Sequence, residues 1–276
     1  MKILAMLISM SLLFSGFVFA DSNMRTDIPI SITVNDEYIK MDSKPFLYRD
    51  STYVPIRFVS EALGADQVSW DAQSDTAVIQ YGGNTIELPV GRTYGFVNGK
   101  NTPIENGIKS MGDRTFVPVR FVSETMGADV QWEQDYYNVK ISKADALVPT
   151  ALIEHKSYTR DDIYWMSRII NAESAGEPME GKIAVGNVVL NRVNSPEYPN
   201  TIHDVIFDGI QFEPTMNGTI FNKPSQDSVI AALRSLEGEN VVGSSLFFFN
   251  PTIASSTWIS ENRPYDTTIG NHQFYL

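Results

Sequence analysis

The chain of 276 residues contains no cysteine and only three histidines, His155, His203 and His272. Disulfides and a lipid-modified cysteine are therefore excluded, and packing alone must hold the fold. No two histidines stand at ligand spacing, so neither copper nor zinc nor any other cofactor is expected. Basic residues are scarce, 21 against 33 acidic, for a net charge of −12. Residues 21 to 150 carry 12 basic and 18 acidic groups, and residues 151 to 276 carry 8 and 15. Neither half offers the basic face that a phosphate backbone needs, which excludes nucleic acid as a partner.

Long apolar runs are absent after the first twenty residues. That opening stretch, MKILAMLISMSLLFSGFVFA, has Lys2, an apolar run and then Val18-Phe19-Ala20, with small residues where a signal peptidase cuts. It reads as a cleaved export signal, with an uncleaved anchor as the rival. After cleavage no stable membrane insertion is expected, and the protein is expected to be secreted. The 43% hydrophobic content suffices for a sizeable core and about two domains.

What is present begins with a repeat. TYVPIRFVSEALGAD at 52–66 returns as TFVPVRFVSETMGAD at 115–129, an offset of 63. In each copy a β-rich run ends at Pro55 or Pro118, expected at the first helical position. Phe58, Val59, Ala62 and Leu63, and then Phe121, Val122 and Met126, recur at helical spacing. Gly64 and Gly127 are expected to end the helices, with strands carrying Trp70 and Trp132 after them. Arg57 with Glu61, and Arg120 with Glu124, read as structural pairs on one helix face. Residues 27 to 142 thus form an α+β unit of two similar halves. Through its two V-P-x-R-F-V-S-E stretches this region resembles the copper amine oxidase N-terminal-like domain, found in surface proteins of Gram-positive bacteria. The name implies no oxidase here. Wall or spore-coat proteins are candidate partners of the module, alongside glycan binding and simple spacing. Residues 143–157, KADALVPTALIEHKS, break the pattern and are read as a linker to a second unit, 158–276.

The second unit opens with Thr159 and Asp162, a capping pair, followed by Ile163, Met166, Ile169 and Ile170 at inward-facing positions of a helix. That helix leads into NAESAGEP, residues 171 to 178. Gly176 is expected to terminate it, Pro178 to start the next, and Glu177 to cap that second helix in a structural role. Glu173 then falls in the last turn, where the helix dipole disfavours negative charge. Apolar surroundings would push its pKa up as well, which suits a general acid working near neutral pH. The bland alternative is a solvated glutamate at a helix end.

From Tyr158 onward the chain resembles the bacterial cell wall hydrolases that degrade spore cortex, the SleB type. The matching residues are R-I-I-N-A-E-S-A-G-E-P-M-E-G-K-I-A-V-G-N-V-V-L-N-R-V at 168–193, Gln211-Phe212, Phe249-Asn250-Pro251 and G-N-H-Q-F-Y at 270–275. The resemblance implies a mainly helical, lysozyme-like fold, peptidoglycan glycan strands as substrate, and Glu173 as the catalytic residue. The family often has Ala-Arg where this chain has Ser174-Ala175, which bears on subsite preference. It also implies a lytic transglycosylase, which needs one carboxylate. The competing readings are a hydrolytic muramidase and a non-catalytic wall-binding scaffold. A hydrolytic glycosidase uses two carboxylates, and among Asp204, Asp208, Glu213, Asp227 and Asp266 no spacing singles out a second. Gln211, Phe212, Asn250, Trp258 and His272 are candidate sugar-binding residues. For Phe212 and the Phe247-Phe248-Phe249 run, core packing competes with that role.

Overall fold

The computed structural model describes residues 23–209, 211–254 and 256–276. Residues 1–20, read above as an export signal, lie outside the described residues. The architecture is mixed α+β, with four small sheets and eight α-helices among the described residues. No helix among them is long and apolar enough to cross a membrane.

Each copy of the repeat forms the same strand and helix. Strand Ser51–Pro55 runs into α1 (Ile56–Ala62), and strand Arg114–Pro118 runs into α2 (Val119–Thr125). The prolines sit one residue earlier than expected, closing the strand and standing at the N-cap, and their φ of −60° and −56° suits both places. Gly64 and Gly127 follow the helices with φ of +89° and +82°, the left-handed conformation that lets a chain leave a helix. The two strands pair antiparallel with Val54 opposite Val117. These are the same position in the two copies, so the copies meet about a local two-fold axis.

The second half is organised around α3 (Arg160–Ser174). Thr159 and Asp162 make the expected capping box, and Ile163, Met166, Ile169 and Ile170 are buried. Against α3 pack α4 (Met179–Val193), α5 (Ile202–Phe207) and α7 (Gln226–Leu236), with the short α6 (Glu213–Asn217) beside them. A Cβ at Gly186 of α4 would stand 2.6 Å from the Ser235 hydroxyl of α7 and 3.1 Å from Ile170 of α3. Only glycine allows the three helices to approach this closely. Strands Phe247–Phe249, Tyr265–Ile269 and His272–Tyr275 form a three-stranded sheet on α4, joined by α8 (Trp258–Asn262).

Residues 143–157 are packed, not loose. The Asn35 side chain donates to the carbonyls of Lys143 and Ala146 and accepts from the Lys143 N–H. Ile153 bridges Ile39, and the Glu154 N–H donates to the Tyr38 carbonyl at 2.8 Å. One apolar cluster then runs from Val34, Val139 and Ile141 in the first half to Ile163 of α3 and Val229, Ile230 and Leu233 of α7. Each such side chain contributes about 1.5–3 kcal/mol on burial, so the two halves stabilise one another.

Candidate active site

The last turn of α3 places Glu173 at the wall of a cleft of about 430 Å³, which Asn171, Glu213, Pro214 and Asn222 also line. Asn171 is fixed there because its Oδ1 accepts from the Ser225 N–H at 2.9 Å and from the Ser228 hydroxyl at 3.2 Å. The charge of Arg192 on α4 acts on this carboxylate; Arg192 is itself buried, with Nε donating to the Leu246 carbonyl at 2.8 Å and its guanidinium 5.1 Å from the Phe212 ring centre. Burial pushes the Glu173 carboxyl up to about 7, the charge of Glu213 adds to this, and Arg192 opposes it. A carboxyl poised there holds its proton near neutral pH and can also release it, as general acid–base chemistry requires.

The turn after Glu173 departs from expectation in two ways. Gly176 is not in the left-handed region. The helix stops without it because Pro178 has no N–H to continue the ladder, and the Glu177 N–H closes the turn on the Ser174 carbonyl at 3.0 Å. Glu177 also does not cap α4, whose N-cap residue is Pro178. Its carboxylate instead reaches the C-terminal hairpin, where Oε2 accepts from the Asn271 N–H and Oε1 from the Asn271 side-chain amide, both at 2.9 Å. Gly270, with φ of +59°, lies so close that a Cβ would fall 1.9 Å from Glu177 Oε2. Lys182 closes the other side, donating to the Glu177 carbonyl. Burial raises the Glu177 carboxyl, but the Asn271 donors and the charges of His272 and Lys182 outweigh it and leave the group below its ordinary value.

Of the sugar-binding candidates, none lines the Glu173 cleft. Phe212 is corrected to a core residue: it is 2% exposed, packed among α3, α4 and α5, because its ring fills the space under Arg192. His272 is likewise corrected. It is buried in the hairpin with its ring 5.3 Å from that of Phe248, and its Nδ1 has no partner among the described residues. Burial lowers its pKa and the neighbouring Glu177 charge opposes this, and its ring packs inside the hairpin. Asn250 accepts from the Thr252 N–H at 3.0 Å and from the Thr252 hydroxyl, holding a turn. Gln211 and Trp258 are exposed, the tryptophan at 52%.

Sequence reasoning missed Glu213 as the acid that shares the cleft. Its only local mark is a Glu-Pro start to α6. Asp266 is engaged by the Ser245 hydroxyl at 2.6 Å and Asp204 by His203 at 2.9 Å. Among the described residues no three His, Asp or Glu side chains come together to hold a metal ion.

Residues 176–275 match the cell wall hydrolase family and residues 33–141 the copper amine oxidase N-terminal domain. The cell wall hydrolase CwlJ of Bacillus subtilis is 30% identical over 124 residues, 42% of this chain and 86% of that protein. The chain belongs to the cell wall hydrolase family. The family match begins just after Glu173 and takes in the Glu177 turn and the hairpin that it grips. The spore cortex-lytic enzyme of Bacillus cereus is 39% identical over 117 residues, 42% of this chain and 45% of that protein. The chain thus spans less than half the length of the spore cortex-lytic enzymes that it matches. A solved structure, the catalytic domain of the germination-specific lytic transglycosylase SleB from Bacillus anthracis, is 37% identical. It covers 45% of this chain and all of its own, with a TM-score of 0.42.

Proposed function

We propose that this cell wall hydrolase cleaves the glycan backbone of peptidoglycan, in spore cortex or cell wall, as a lytic transglycosylase. The observation that carries the reading is Glu173, set in the wall of a cleft with its carboxyl pushed up to about 7. The relatives named as spore cortex-lytic enzymes support peptidoglycan as the substrate class. Glu173 gives its proton to the oxygen between N-acetylmuramic acid and N-acetylglucosamine, and the bond from that oxygen to C1 breaks. The carboxylate then takes the proton of the muramic 6-hydroxyl as that oxygen bonds to C1, which closes a 1,6-anhydro ring and returns the acid to its starting form. An internal hydroxyl competes well with water because its approach costs little entropy. In this reading the second half is lysozyme-like and the protein is exported, with residues 27–142 a module that holds the wall. Gln211, Asn250 and Trp258 contact sugars away from the bond that breaks.

The test is purified glycan with the Glu173→Gln variant: digestion should stop while the thermal melt persists, and retained digestion would sink the role of Glu173. A second reading is favoured by one observation, the presence of Glu213 in the same cleft. There it would act as the base for a water molecule, giving a hydrolytic muramidase. Mass spectrometry separates the two by anhydro against reducing muramic ends.

A further inference from the structure

The first half carries two grooves that the reaction does not use. One, of about 770 Å³, is lined by Thr52, Arg120, Phe121 and Trp132. The other, of about 250 Å³, is lined by Thr115, Arg57, Phe58 and Trp70. These are the same positions of the repeat: threonine, arginine and phenylalanine differ by 63 and the tryptophans by 62, since the second copy is one residue shorter between helix and tryptophan. Each groove combines the strand entry of one copy with the helix start of the other. The antiparallel pairing at Val54 and Val117 brings these together twice.

The shared feature is a tryptophan that the core does not need. Trp70 is 50% exposed and Trp132 36% exposed. The Trp132 ring is nonetheless fixed, with its N–H donating to Gln134 at 2.8 Å and the Tyr137 ring packed edge-on at 5.4 Å. An immobilised aromatic face ringed by arginine, threonine and carboxamide groups matches a sugar, which presents an apolar ring face and a rim of hydroxyls that both donate and accept. Position adds a second argument. Gln226 borders the larger groove and Asn222 borders the Glu173 cleft. Four residues of chain reach at most about 14 Å, so the linings of the two come within that distance of each other at the start of α7.

We propose that these grooves bind peptidoglycan glycan, the Trp132 groove holding the continuation of the strand whose bond lies at Glu173 and the Trp70 groove a second segment. The identity of the glycan rests on the proposed activity of the cleft. Two weak sites on one chain hold a polymer far better than either alone, so the module would keep the enzyme on its insoluble substrate.

The test uses the full-length Glu173→Gln variant, which removes turnover from the measurement, and peptide-free glycan strands as the ligand. Trp132→Ala and Trp70→Ala added to it should each weaken binding about tenfold, and the double change should abolish retention on glycan. Trp132→Phe should restore most of the affinity, and thermal melts should match the parent. Unchanged binding in the double variant overturns the proposal, as does capture of intact sacculi with no affinity for peptide-free strands, which would point to peptide or protein as the ligand. Failure of the catalytic reading looks different: the Glu173→Gln parent would still shorten the strands.

Discussion

Glu173 and Glu177 are four residues apart, on either side of one tight turn, and their environments drive them in opposite directions. Burial raises Glu173 to about 7, with no hydrogen bond among the described residues to oppose it; Glu213 adds a like charge and Arg192 opposes the shift. Glu177 is only 9% exposed, yet the two donors of Asn271 hold it below its ordinary value. Burial raises both carboxyls, and the Asn271 donors tip Glu177 the other way. One glutamate is left poised to exchange a proton, and the other fastens the turn that presents the first.

The comparison breaks most visibly in activity. Glu173→Gln keeps the shape and removes the proton, so turnover of glycan should fall by about 10³-fold, measured as release of soluble fragments. Glu177→Gln should keep most of the activity if it keeps the fold. Equal losses in the two variants would mean that the turn, not its proton, is what the reaction needs.

Stability should show the reverse. Glu177→Ala leaves the Asn271 donors without their acceptor in a buried place, a loss of about 2–4 kcal/mol, read as a melt lowered by about 5–15 °C. Gly270→Ala should cost a similar amount, since its Cβ collides with the same carboxylate. The double variant should lose less than the two losses added, because removing the carboxylate removes the collision. Full additivity would show that the turn and the hairpin are independent.

What could be read from the sequence follows the range of each interaction. The capping box of Thr159 and Asp162, the left-handed Gly64 and Gly127, and the seat of Glu173 in the last turn are all set within a few residues. Glu177 was legible as structural but not in its partner, which lies 94 residues away. Phe212 and His272 sit in stretches that also suit a sugar groove, and only packing against Arg192 and Phe248 shows them to be interior. Glu213 was one acid among five until α6 folded it beside α3. Gly176 misled for a local reason: the proline two residues on ends the helix by itself.

The pH dependence of stability sharpens the contrast. Below pH 4.5, the ordinary value for Glu173, both folded and unfolded chains hold its proton and there is no penalty. As pH rises toward 7 the unfolded chain releases the proton while the folded chain keeps it, so folding loses up to about 3 kcal/mol. Above pH 7 that cost stays constant. Glu173→Gln should therefore melt like the parent near pH 4 and above it at pH 8, an inactive variant that is more stable than the active protein. Glu177 has the opposite sign: its contribution is present above pH 4.5 and fades as acid protonates it. Identical melting differences at pH 4 and pH 8 would mean that Glu173 is not raised at all.

The smallest expected effect concerns Glu213. Its negative charge helps to keep the proton on Glu173, so Glu213→Gln should move the Glu173 titration downward and draw the basic limb of the pH–rate profile to lower pH. Glu213 is exposed, and solvent screening keeps the displacement modest. If Glu213 acts only through its charge, the variant keeps its rate on the acidic side and still yields anhydro ends. A loss of rate at every pH would instead make Glu213 the base that activates water, and the two carboxylates of the cleft would then divide the reaction between them.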